Sequence, residues 1–430
     1  MGAQRELVAV VGGGIAGVCS ALALENRHDV ILLERLDALL SQTSRSNVGR
    51  IHLGFHYALD ATMDTAAVLV PGWFAFWELM ERWTVGEIHD VPHSKPYWWL
   101  VERRSFVEPR RYQHYCDHLA AIYHEHRCIG ARAERFPPAS EVSRPLPREQ
   151  YSALADPDHI VYAVSSMEDA IELDPFFEVL GRALDRQTDI DVRRNHDVRA
   201  IEADGDGYRL EVVHSAGGGP FELRCDQVVN ATNAHRLQFD FEQGFLPGRQ
   251  WMDRLKVLVD VVPPPELQAA HSMQVAVGPF GHFTHYADGT GCCGYMPVSI
   301  RGDSDAVVGP PEWDRVCEQG YPPAEAERLG RETIEGVARY VPQFAGAKVL
   351  RVWPGIVHAT GTTPITDRHS ELHRRADSGV FSLHRGYHSF NCGKLCLAPM
   401  HAARLARRVT KHAQLDRGAR VFARGYVPVS

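Results

Sequence analysis

Six residues near the start, Gly12-Gly13-Gly14-Ile15-Ala16-Gly17, place glycines at the first, third and sixth positions of a G-x-G-x-x-G motif. That spacing serves a dinucleotide. Gly12 permits a tight turn, Gly14 lets a pyrophosphate approach the backbone, and Gly17 allows a helix to pack closely on its strand. The helix opening at Ile15 and Ala16 then directs free amides and the positive end of its dipole at the phosphates. Glu34, at the end of the next apolar run, can accept hydrogen bonds from both ribose hydroxyls. Its charge disfavours a 2′-phosphate, so the expected ligand carries a plain ADP moiety: FAD or NAD rather than NADP.

Histidine is the side chain best suited to proton transfer near neutral pH. His52, in a glycine-punctuated loop, is the first candidate for contact with a substrate; His358 and Arg50 are further catalytic candidates, and His56, His384 and His388 are weaker ones. With 23 histidines in the chain, chance placement near any site is common. The pairs His282/His285 and His124/His126 lack the third ligand and the spacing of a metal site, so no metal is expected. The nine cysteines are odd in number and have no CxxC spacing, which argues for reduced thiols.

The elements that must hold these residues are readable. Leu7–Val11 and Asp29–Leu33 are short continuous apolar runs, the pattern of parallel strands covered on both faces. A helix is expected between them, from Ile15 to about Asn26. Ser41 to Tyr57 is a long polar loop where a simple NAD domain would enter its next helix. Such a loop can wrap a pyrophosphate and continue along a flavin, which favours FAD. Trp73, Phe74, Phe76, Trp77 and Trp83 recur at helical spacing and read mainly as core, followed by a strand at 96–101. Residues 255–262 and 273–277 read as strands and 325–340 as an amphipathic helix.

The loop residues Asn47-x-Gly49-x-Ile51-His52-x-Gly54-x-x-Tyr57, together with the glycine motif, resemble the D-amino-acid oxidase superfamily of flavoproteins, particularly its L-2-hydroxyglutarate dehydrogenase branch. Glycine and sarcosine oxidases belong to the same superfamily. Weaker similarities continue along the chain: Glu172-Leu173-Asp174-Pro175, Asp226–Ala234, Val352-Trp353-Pro354-Gly355-Ile356, Thr362–Asp367 and Gly386–Pro399. The resemblance implies an α/β architecture: a Rossmann-like FAD-binding domain from residues 1–60, 155–235 and 350–430, and an α+β substrate domain with a large, mostly antiparallel sheet from 61–154 and 236–349. It further implies FAD contacts from Arg35, Thr43, Ser44, Ser46, Asn47, Gly49, Arg50, Ile51 and His52, and from the backbone of Val198. Ala231, Thr232, Asn233 and Gly355 would follow, with Asn391, Cys392, Gly393, Lys394 and Leu395 near the flavin. Asn233 replaces the family's usual glycine, and asparagine tolerates a left-handed backbone better than other side chains.

Two departures stand out. The arginine that many of these oxidases place two residues after the Trp-x-Gly glycine, to hold a substrate carboxylate, is absent: Val357 and His358 occupy that neighbourhood. Arg50, Arg249, Arg301 and Arg385 are candidates to replace it. His358 lies about where sarcosine oxidases carry a flavin-linking cysteine, so the FAD is expected to be non-covalent.

The implied activity is oxidation of a C–N or C–O bond of a small molecule by hydride transfer to flavin N5, with oxygen or another acceptor taking the electrons. The alternative is a flavin-dependent monooxygenase. Composition fits a folded enzyme of 430 residues, 44% apolar and 23% charged. A net charge of −8 leaves no basic stripe for nucleic acid. No apolar run approaches the roughly 18–20 residues needed to span a bilayer. A cytoplasmic location is expected.

Overall fold

The computed structural model describes residues 5–215, 217–412 and 425–429. Leu7–Val11 and Asp29–Leu33 pair in parallel from Leu7↔Asp29 to Val11↔Leu33, joined by the helix Ile15–Leu24. Apart from Leu7 their valines and leucines are almost fully buried, because helices cover one face of the sheet and a smaller antiparallel sheet covers the other. Six strands form this sheet in the order Gly379–His384, Tyr387–Asn391, Gln227–Asn230, Leu7–Val11, Asp29–Leu33, Ile190–Arg193. All neighbours are parallel except Gly379–His384, which runs antiparallel to Tyr387–Asn391. Three distant stretches of chain therefore build one dinucleotide-type sheet. A three-stranded antiparallel sheet, His196–Asp204, Gly207–His214 and Phe221–Cys225, packs on it through Val198, Ile201 and Leu210.

The second large sheet has nine strands and is antiparallel except where Ser272–Ala276 runs parallel to Tyr97–Glu102. Near one end of it the long strand Trp251–Val262 is paired along its whole length with Lys348–Thr360. Sheet membership departs from the expected division at two points. Ile160–Ser166 pairs with Tyr97–Glu102, and Lys348–Thr360 pairs with Trp251–Val262, so residues 160–166 and 348–360 belong to the larger sheet. Composition could not separate them, because strand partners are chosen by long-range register rather than by local sequence.

The aromatic helix extends over Asp64–Trp83 and begins earlier than its tryptophans suggested. Its five aromatic residues are core: Trp73, Phe74, Phe76, Trp77 and Trp83 are all buried. The helix packs against the last helix, Ala398–His412, which in turn lies on Ile15–Leu24. Among the described residues no helix is long and apolar enough to cross a membrane.

Candidate active site

A cleft of about 490 Å³ runs along the C-terminal edge of the six-stranded sheet. It begins at the glycine turn. Gly12 has φ +103°, and a Cβ there would lie 2.8 Å from the Ala231 carbonyl oxygen. A Cβ at Gly17 would sit 1.8 Å from the Gly12 carbonyl oxygen, so only glycine lets the helix approach the turn. Gly14 is different: a Cβ there meets only Ser44 Oγ, at 3.3 Å, and Gly14 lines the cleft. Ser44 Oγ accepts a hydrogen bond from the Ile15 amide at 2.9 Å, which fastens the polar loop to the helix start.

Glu34 closes this end. One carboxylate oxygen accepts from the Gly13 amide at 2.6 Å and the other from the Leu36 amide at 2.9 Å. Each oxygen keeps a lone pair for a further donor. Burial pushes the Glu34 carboxyl above its ordinary range, while those amides and Arg35 oppose the shift.

Of the expected cofactor contacts, Gly12, Gly14, Ile15, Ala16, Glu34 and Arg35 line the cleft at this end, and Thr43, Ser44 and Asn47 line it along the polar loop. Val198, Ala231, Thr232 and Asn233 form another wall, and Asn391, Cys392, Gly393, Lys394 and Leu395 the far end. Asn233 takes φ +51°, the left-handed conformation that asparagine can adopt. Thr43 Oγ1 bonds both the amide and the carbonyl of Ile356 at 3.2 Å, tying the loop to the larger sheet.

The remaining expected residues stand off the cleft. Gly17 is behind the turn. Ser46 Oγ donates to the Trp353 carbonyl at 3.2 Å, and a Cβ on Gly355 would lie 2.7 Å from Ser46, so this pair seals the loop against the strand. Gly49 has φ +71° and its amide bonds Asn47 Oδ1 at 2.9 Å, a turn in which both serve the backbone. Ile51 is fully buried core. The Arg50 guanidinium stacks 3.7 Å over Tyr97 and 5.2 Å from Trp99, with one bond to Gln274 Oε1 at 3.2 Å. His384 bonds the Gln243 carbonyl, and His388 bonds Ser382 and Gln227.

His52 lies behind the far end of the cleft, its side chain 12% exposed and its Nδ1 3.7 Å from Glu168 Oε1. Glu168 is fully buried; one of its oxygens accepts from the Leu53 amide at 2.6 Å and the other has no partner. His52 Nδ1 and His56 Nδ1 are likewise buried without a hydrogen bond. Burial, reinforced by Lys394 and Arg50, holds both imidazoles well below their ordinary pKa, so both are neutral bases at pH 7. His358 lines the cleft but has no free ring nitrogen: Nδ1 pairs with Asp253 Oδ1 at 2.8 Å, and Nε2 faces Arg236 at 3.2 Å. In that arrangement the ring is the neutral Nδ1–H tautomer, without a lone pair for base or nucleophile chemistry.

None of the four arginines named from sequence stands free at the cleft. Arg249 pairs with Asp377 at 3.1 Å, Arg301 with Glu325 at 3.8 Å and Arg385 with Asp206 at 3.3 Å. Sequence reasoning passed over Arg254 and Lys256 on the long strand. Burial, with Arg254, Lys394 and Arg375 close by, forces the Lys256 amine well below the ordinary lysine range. The signal was there: two basic residues at period-two spacing, with buried Leu255 and Val257 on the other face.

A dinucleotide-type sheet carrying a Gly12–Glu34 turn, roofed by a large antiparallel sheet, defines a two-sheet nucleotide-dependent oxidoreductase architecture. The sequence profile of the FAD dependent oxidoreductase family matches residues 8–408, and the chain belongs to that family. Among solved structures it is similar to glycine oxidase from Geobacillus kaustophilus, with TM-score 0.63, 15% identity and 97% of each chain covered. It is also similar to FAD-bound L-alpha-glycerophosphate oxidase from Mycoplasma pneumoniae, with TM-score 0.63, 16% identity and 96% of each chain covered. L-Amino acid deaminase from Proteus myxofaciens aligns with TM-score 0.65 and 15% identity, over 96% of this chain and 91% of that one. No curated protein sequence matches. The protein is an FAD-dependent oxidoreductase, and the residues fit the cofactor: the carboxylate of Glu34 keeps acceptor capacity, and the cradle at Gly14 is one that a Cβ would fill.

Proposed function

We propose that this enzyme oxidises a carbon bearing an amine or hydroxyl group in a small organic molecule. FAD, when bound, supplies the hydride acceptor, and oxygen or another acceptor would take its electrons. The protein's own tasks follow from position. The Gly12–Gly17 turn and Ser44 hold the pyrophosphate, and Glu34 holds the ribose. Thr43 and Asn233 fasten the loop that faces the ring system. Lys394 and the backbone at Asn391–Leu395 set positive potential at the far end, where negative charge develops on reduction.

His52 takes the proton of the substrate amine or hydroxyl, with the Glu168 carboxylate 3.7 Å from its ring. A neutral, buried base beside a carboxylate suits that task, since the imidazolium formed is stabilised by the charge next to it. His358 positions rather than reacts, because Asp253 and Arg236 hold both its nitrogens. The observation that carries this reading is the single cleft joining the Gly12–Glu34 end to Lys394, with neutral His52 behind that end.

The test is the visible spectrum of purified protein before and after acid precipitation, followed by anaerobic titration with amino and hydroxy acids. Release of flavin into the supernatant and bleaching by one acid are expected. Protein that binds no FAD refutes the reading, as does flavin that is reduced by NADPH and by no acid of the panel.

A further inference from the structure

In the six-stranded sheet, Leu7–Val11 lies between Asp29–Leu33 and Gln227–Asn230. Arg35 follows the end of the first neighbour and His235 the end of the second, so the glycine turn that ends the middle strand has one of them on either side. Both line the cleft, and a single carboxylate joins them. Asp314 Oδ1 accepts from His235 Nε2 at 3.1 Å and pairs with Arg35 Nη2 at 3.4 Å. Glu318 Oε1, one helical turn further on, pairs with the same Arg35 nitrogen at 3.0 Å. Asp314 itself lines the cleft, so a ligand that reaches the glycine turn and Glu34 lies against this span. The four side chains are between 28% and 33% exposed. Burial opposes ionisation of Asp314, but the His235 bond and Arg35 outweigh it and hold the carboxyl below its ordinary range.

The helix that carries both acids, Pro311–Gln319, belongs to the other half of the molecule. It follows Ile300–Ser304 of the nine-stranded sheet and packs along Lys348–Thr360. Trp313 anchors it there: the ring is 7% exposed and clusters with Leu255 and Ile356. Gly302 makes room for that ring, since a Cβ there would lie 2.9 Å from Trp313 Cζ2. Toward the nucleotide sheet the attachment is different. Ala234 adds one apolar contact, and among the described residues the polar contacts are those with Arg35 and His235. Partly exposed ion pairs open far more readily than a buried tryptophan leaves its pocket.

We propose that this helix is a latch on the cofactor site. Asp314 and Glu318 are positioning residues: they hold Arg35 and His235 across the glycine turn, and FAD enters and leaves when these contacts part while Trp313 stays anchored. The latch needs FAD, which membership of the family supplies, and does not need the oxidative reading above.

The experiment follows FAD by stopped-flow fluorescence: its release from diluted holoenzyme and its uptake by apoprotein. In the Asp314→Asn/Glu318→Gln double variant both rates should rise about tenfold, while the dissociation constant, their ratio, stays within about threefold of the parent. Asp314→Asn alone should lie between. Raising NaCl from about 0.05 M to about 1 M should speed both rates in the parent and neither in the double variant, because salt screens partly exposed pairs. Glu327→Gln, exposed on the next helix, should behave as the parent does. Faster release without faster uptake overturns the proposal, since a lost contact or a damaged site gives that pattern. So do double-variant rates within about twofold of the parent. If the double variant does not fold, parental rates that ignore salt overturn it by themselves. Latch kinetics in an enzyme that no amino or hydroxy acid reduces would refute the oxidative reading alone.

Discussion

Gly14 and Gly17 sit in one turn, yet the same added methyl group should damage different properties at each. At Gly17 the new carbon would lie 1.8 Å from the Gly12 carbonyl oxygen. Reaching an ordinary separation of roughly 3.5 Å requires the helix to recede by about 1.7 Å from a strand that is packed on both faces. Overpacking of that size costs about 3 kcal/mol or more. At Gly14 the backbone is extended, φ −72° and ψ −177°, and the nearest atom is Ser44 Oγ at 3.3 Å, which can rotate away. Alanine there also lowers the entropy of the unfolded chain, a gain of about 0.4–1 kcal/mol. Stability of the Gly14→Ala apoprotein should therefore stay within about 1 kcal/mol of the parent. Its methyl group projects into the cleft where the pyrophosphate must lie, so FAD should bind about 100-fold more weakly, equivalent to about 2.7 kcal/mol. Urea unfolding of both apoproteins separates fold from ligand linkage, and FAD titration by fluorescence quenching reads the affinity. A Gly14→Ala enzyme that binds FAD like the parent refutes the placement of the pyrophosphate. A Gly17→Ala apoprotein that unfolds at the parental urea concentration refutes the packing argument.

Replacing His52 by Gln should leave flavin content unchanged and slow anaerobic flavin reduction about 100-fold or more in stopped flow; a rate within about threefold of the parent removes its role as base. Because burial and neighbouring cations depress its pKa, the acid limb of the parental rate should lie below pH 6.5, the imidazole staying neutral until then. His401 is fully buried and its pKa is lowered to about 3, chiefly by burial. Between pH 6.5 and about 3 the unfolded chain binds a proton there that the folded chain does not. Folding stability should fall on acidification by about 1.4 kcal/mol per pH unit from this group, and His401→Leu should flatten the dependence in urea melts from pH 7.5 to 5. Lys256→Met replaces a desolvated amine by an apolar group of similar volume, so the apoprotein should gain about 1 kcal/mol or more in urea melts. A less stable Lys256→Met apoprotein would show that the amine has a structural partner.

Much of the nucleotide end was legible because its determinants are local. Strand, glycine turn, helix and Glu34 fall within 28 residues, and each is constrained by backbone geometry that only certain residues permit. The opposite end depends on residues brought from loops at 41–57, 391–395 and the strands 251–262 and 348–360, which meet only through sheet register. Ser46 and Gly49 belonged to the right loop, but the folded chain uses them to shape that loop rather than to line the cleft, and Asn47, which does line it, spends its side-chain oxygen on the Gly49 amide. His358 shows the same limit, since its sequence position says nothing of Asp253 or of Arg236, whose pairing decides whether a ring nitrogen is free.

By itself the sequence determined the dinucleotide-type turn, the helix that faces it and the acidic residue at the end of the second strand, because short-range sterics and hydrogen bonding demand those residue types there. Tertiary structure alone decided which cations stand together on and beside the long strand Trp251–Val262 and which remain unpaired. Arg254 reads as one basic residue among 46 until the ladder sets it opposite Val357 and leaves it without a partner. Burial and pairing arise from elements far apart in the chain, and the chemistry of a charged group follows from them.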